Sequence, residues 1–297
     1  MIIKAEKLCT PPDSDNSGPL LQDRTRSMTT IVAFFVLAFG WSWAIGFAGT
    51  RIKGEFPVLS TVLMMAAGFG PSLAGLVVVA VSSNGQGLRD WFARCINWRV
   101  DWRWFALAFA FPLAVMLLAV SIHAWLGGSF PASTAANQIP LLILNFALVL
   151  VIGGPLGEEF GWRGYAMPAL RTRMGWRAAS LIIGLIWGAW HLPLFFLMGT
   201  AQSQMPIPLF MLNIIAGAVV FGWLYESTQG SVLPALVLHT SLNAWAGILV
   251  IIPTAEDGRP YALVTSLLVI VALALLFIPE RTASISPRVT TEASSSC

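Results

Sequence analysis

The sequence predicts an all-α fold, a polytopic membrane bundle of about eight transmembrane helices, and three observations carry that reading. Of its 297 residues, 57% are hydrophobic and only 10% are charged, and the mean hydropathy is +0.76. Soluble domains carry roughly 25% charged residues, so neither a water-soluble enzyme nor a disordered chain fits. The apolar residues fall in runs long enough to cross a bilayer, for which about 20 are needed. When those runs are threaded through a membrane, 14 of the 17 Lys and Arg lie on one side, as in cytoplasmic loops.

Residues 1–28 are polar, with Pro11, Pro12, Asp13 and Asp15, and read as a flexible cytoplasmic tail. The first apolar run comes too late and is too long for a secretory signal. The membrane-embedded domain covers 29–279, with spans expected at 29–49, 57–82, 104–126, 138–160, 178–198, 207–226, 232–252 and 261–279. Residues 280–297 are Ser-rich and are expected to form a disordered cytoplasmic tail. Between the second and third spans, Leu88, Trp91, Phe92 and Cys95 recur at helical spacing opposite Arg89 and Arg94. Trp98, Trp102 and Trp104 follow beside Arg99 and Arg103. This segment predicts an amphipathic helix lying in the interface, tryptophans at headgroup depth and arginines on phosphate. Cys9, Cys95 and Cys297 form no CxxC pair and suggest neither a disulfide framework nor a thiolate site. The net charge of +3 reports loop orientation, so no nucleic-acid partner is expected. The expected location is the plasma membrane, multi-pass, both termini cytoplasmic, with the lipid bilayer as a partner.

Ionisable groups inside a bilayer cost several kcal/mol and need a reason. Here they are Glu158, Glu159 and Arg163 late in the fourth span, His191 in the fifth, and His239 in the seventh. Glu226 and His123 sit at span ends, where access to water explains them. Adjacent helical residues point about 100° apart, so Glu158 and Glu159 face different partners. Glu159 and Arg163, four apart, are placed to form an ion pair, which leaves Glu158 without a local counterion. Trp187 and His191 share a helix face, with Pro193 just beyond. His239 and Asn243 stack one turn apart. A poorly solvated carboxylate can serve as a general base. Two histidines can bind a metal, orient a water or stabilise an oxyanion, and an amide can donate to that oxyanion. The inventory suits amide hydrolysis by an activated water, with a peptide or membrane-protein substrate. It contains no HExxH zinc motif. Counting rise at 1.5 Å per residue puts His239 about 10 Å and His191 about 18 Å from the start of their segments, a mismatch in depth.

The ordered motifs Glu158-Glu159-xxx-Arg163, Trp187-xxx-His191 and His239-xxx-Asn243 resemble the CAAX protease and bacteriocin-processing family of intramembrane peptidases. That family includes the eukaryotic Ras-converting CAAX endopeptidase and bacterial Abi-type proteins. The stretches GGPLGEEFGWRGYAMPAL, LIWGAWHLPLFF and WRVDWRW are similar to bacterial members, and the resemblance covers roughly residues 88–250. It implies a bundle with a catalytic cavity open to the cytoplasmic side. It further implies that Glu158 activates water with His191, that His239 and Asn243 stabilise the oxyanion, and that Glu159 and Arg163 support the site. Trp187 and Trp162 are expected to line the substrate site; Trp187 stands where the family motif usually has Phe. Zinc is the candidate cofactor, on Glu158, His191 and His239, beside a metal-free glutamate mechanism. The other functions to weigh are a non-proteolytic scaffold or bacteriocin-immunity-type protein on the same fold, and a proton-coupled transporter.

Overall fold

A computed structural model describes residues 27–83, 85–129, 138–253 and 257–279. Among these residues all regular structure is helical. The terminal segments 1–26 and 280–297 lie outside the described residues, so the two tails expected from sequence are not tested.

Helix α1 (Met28–Ile52) opens with Ser27, whose side chain accepts from the Thr30 N–H. The expected second span is two helices, α2 (Pro57–Ala67) and α3 (Gly70–Ser82), bent by 52°. Pro71, in the first turn of α3, brings no N–H to the ladder and helps to set the break. Then come α4 (Gly85–Cys95), α5 (Trp102–Trp125) and α6 (Ile139–Ile152). The expected fourth span ends early: Gly153, Gly154 and Pro155 interrupt it, and Glu158 and Glu159 sit on a separate short helix, α7 (Pro155–Gly161). A π-helical turn over Trp162–Ala166 leads into α8 (Met167–Trp190), which carries a non-helical Gly175. Short 3-10 turns at Leu192–Phe196 and Gln202–Gln204 precede α9 (Ile207–Ser227), α10 (Leu233–Ile248) and α11 (Arg259–Phe277).

Among the described residues five helical stretches are long and apolar enough to cross a membrane, or six when the bent α2–α3 pair is taken as one span. The expected eight are therefore not all full-length helices. At 14 and 16 residues, α6 and α10 reach only about 21 and 24 Å, short of a bilayer core of about 30 Å. The protein is a multi-pass helical membrane bundle. Its helices pack in the sequence α8–α9–α11–α5–α10–α6–α7–α3–α1, and α10 also touches α7 and α9.

Two further expectations change. Trp91 and Cys95 are buried, turned toward the bundle against Gly164 of the π turn, whereas Phe92, Trp98 and Trp102 are exposed. Only part of the amphipathic segment therefore faces outward. Burial pushes the Cys95 thiol up to about 12, against the opposing effect of Arg94, so it is no thiolate nucleophile at neutral pH. His123, expected near the membrane surface, is buried with its Nε2 3.4 Å from Asp257. Glu226 is paired with Arg171.

Candidate active site

The short helix α7 orients both acids through its small residues. Gly157 and Gly161, four apart, lie so close to α3 that a Cβ would strike the backbone of Gly68 and Pro71. Such spacing of small residues lets two membrane helices approach backbone to backbone. The contact is fastened by Ser72, whose hydroxyl donates to the Leu156 carbonyl at 2.9 Å. With the glycine face committed to α3, Glu158 and Glu159 turn away from it in two directions.

Glu159 is fully buried and faces α10. Its Oε1 accepts from Arg163 at 3.1 Å and meets His239 Nδ1 at 2.7 Å. The Arg163 guanidinium lies over the rings of Phe221, at 4.0 Å, and Trp187, at 4.7 Å. A carboxylate opposite Nδ1 holds the imidazole proton there and leaves Nε2 to face other groups. Glu159, Arg163 and His239 thus form one buried cluster drawn from α7, the π turn and α10.

Glu158 keeps 4% exposure and faces α8. Its Oε2 accepts from the indole N–H of Trp187 at 2.5 Å and of Trp162 at 3.3 Å. Its Oε1 lies beside Gly154, which has φ +108°, and a Cβ built there would sit 2.6 Å from that oxygen. The adjacent Gly153 carbonyl accepts from the Asn243 amide at 3.2 Å. An amide nitrogen has two N–H groups, so Asn243 keeps one for another acceptor.

His191 caps the end of α8. Its Nδ1 is 2.9 Å from the Trp187 carbonyl, which can only accept, so Nδ1 carries the proton and Nε2 offers a lone pair. Trp187, Trp190 and Phe210 enclose the ring. Both histidines contact the Trp187 indole, His239 at 5.4 Å and His191 at 6.1 Å between centroids. Trp187, one turn before His191 on the same helix, bridges the two rings, so both histidines meet one side chain.

The sequence-named residues are therefore adjacent, but in two groups joined by Trp187. Sequence reasoning did not single out Gly154, whose missing side chain gives Glu158 Oε1 its space. The Gly-Gly-Pro break was its visible signal. Trp162 and Trp187 are buried and bonded to Glu158, so their contacts are with the site itself. Among the described residues no three His, Cys, Asp or Glu side chains converge as a metal-ligand set. Glu158, His191 and His239, as placed, do not fit the zinc site named from sequence. An apolar pocket of about 350 Å³ lies at the end of α8, lined by Trp43, Met64, Trp190, Pro193 and Leu194, residues that flank His191 in sequence among them. We expect Gly154→Ala to abolish function while the bundle still folds, because the methyl group meets Oε1 and φ is disfavoured for alanine. Activity and melting temperature measured side by side check this; an active Gly154→Ala would show that Oε1 is not where the reaction occurs.

Residues 140–245, from α6 into α10, match the family model described as Type II CAAX prenyl endopeptidase Rce1-like. Over that segment the chain is similar to this family. It is 23% identical over 264 residues to CAAX prenyl protease 2 of Methanococcus maripaludis, covering 84% of this chain and 93% of the relative. It is also 24% identical over 160 residues to UPF0177 protein YxdF of Lactococcus lactis subsp. lactis, covering 54% of this chain and 80% of that protein. The family match contains Glu158, Glu159, Arg163, His191, His239 and Asn243.

Proposed function

We propose that the protein is an intramembrane endopeptidase in which Glu158 activates the attacking water. The observation that carries this reading is the Glu158 carboxylate, buried, with Oε1 beside Gly154 and, among the described residues, without a cation bonded to it. Oε1 takes a proton from water as the hydroxide adds to the scissile carbonyl carbon. His191 Nε2 accepts a hydrogen bond from the second water O–H and so fixes the attack direction. The free N–H of Asn243, and His239 as an imidazolium with N–H on both nitrogens, donate to the oxyanion that develops. Collapse of the tetrahedral intermediate breaks the C–N bond, and the leaving nitrogen takes the proton held by Glu158. Glu159 and Arg163 position His239.

The substrate is a peptide that carries an apolar group. This is supported by the apolar pocket at the end of α8 and by the prenyl protease name of the archaeal relative. No step of this reading uses a metal, and activity is expected to persist in a chelator. The test is comparative proteomics of membranes holding the native protein or Glu158→Ala: a cleavage fragment should be present only with the native chain. Identical fragment sets would reject the peptidase reading.

We place the protein in the plasma membrane with both ends cytoplasmic, a reading supported by the positive-charge bias. Reporter fusions after residue 203 should read the outer side and after residue 95 the inner side. A cytoplasmic signal at 203 would overturn that orientation.

A further inference from the structure

Resting on the hydrolytic reading above, we propose that Trp187 and Trp162 are positioning residues for the base: their indole N–H groups clamp Glu158 Oε2 and leave Oε1 as the oxygen that meets water. The two donors converge on one oxygen, at 2.5 and 3.3 Å, and no described residue donates to the other. Each indole is locked by its own surroundings. Trp187 is held between His191, His239 and Phe221, with Arg163 over its face. Trp162 packs against Phe34, Phe35 and Trp190. The N–H directions are therefore set before any substrate arrives, which is what preorganisation requires.

The choice of donor has a chemical consequence. A carboxylate bonded to a guanidinium is neutralised, and that is the fate of Glu159. Indole donates a hydrogen bond but brings no net charge. Glu158 is thus oriented by neutral donors, and its second oxygen is left open for proton transfer. The Arg163 guanidinium bonds Glu159 and lies over the rings of Phe221 and Trp187.

The alternative is that Glu158 merely satisfies two buried indoles, in which case removing an N–H affects stability and not turnover. Replacing Trp187 by β-(3-benzothienyl)alanine separates the two, since sulfur takes the place of the N–H in a ring of nearly the same shape. The full chain in lipid nanodiscs is assayed on a quenched-fluorescence peptide ending in a prenylated CAAX sequence. We expect kcat to fall about tenfold, the scale of one lost hydrogen bond to a charged group. KM and melting temperature should stay as in the native chain, and Trp187→Phe should repeat the pattern. A second measurement needs no turnover: the isotope-labelled Trp187 indole proton, downfield in the native protein, should move upfield in Glu158→Gln. If that resonance does not move, the bond is absent and the clamp is wrong. If an active chain is indifferent to the benzothienyl residue, the positioning role alone is overturned. If the bond is present in a chain that cleaves no peptide, the hydrolytic reading fails and takes the positioning role with it.

Discussion

Glu158→Gln is expected to lower peptide cleavage by at least about a hundredfold, the lower range for loss of a general base. The amide keeps the size of the side chain and can still accept the two indole bonds through its oxygen, so the bundle should melt where the native protein does. What it loses is a site for the water proton. His191→Ala and His239→Ala should each be comparably damaging, because groups that act on one water and one oxyanion do not contribute additively. The three variants should differ in stability. His239 closes the buried cluster with Glu159, whereas His191 bonds only a carbonyl of its own helix. Near-native turnover of Glu158→Gln on any confirmed substrate would end the mechanism.

Arg163→Ala is expected to be the most destabilising single change at the site. Arg163 is 2% exposed and Glu159 fully buried, so truncation leaves a carboxylate in an apolar bundle held by His239 without its guanidinium. Breaking a buried pair in this way costs roughly 3–5 kcal/mol. Two ring contacts are lost as well. The folded yield in detergent should drop sharply. Adding Glu159→Gln should recover part of it, since the stranded charge is then gone. Both readouts come from one thermal melt series. An Arg163→Ala protein that is fully stable but inactive would instead assign the guanidinium to the substrate.

Much of the site was legible because a bilayer makes polar residues scarce and each one conspicuous. The adjacent acids, two of the three histidines and the Arg163 spacing stood out against long apolar runs. The 100° helical step correctly separated the directions of Glu158 and Glu159. Less legible were the breaks. Gly68 to Pro71 and Gly153 to Pro155 sit inside runs whose hydropathy alone reads as continuous spans. Hydropathy reports what a segment can dissolve in, and it is blind to where the backbone turns.

The sequence by itself determined the membrane solvent, the helical class, the Glu159–Arg163 pair and the short roster of groups able to do chemistry. Each follows from composition or from spacing along one helix. Only the tertiary structure decided which partners those groups take across helices. It joined Glu159 to His239 and Glu158 to two indoles, and it placed Gly154 beside Oε1. Those contacts depend on how closely α7 seats on α3, fixed by the backbone approach at Gly157 and Gly161. A distance between helices is set by packing, which no single segment encodes.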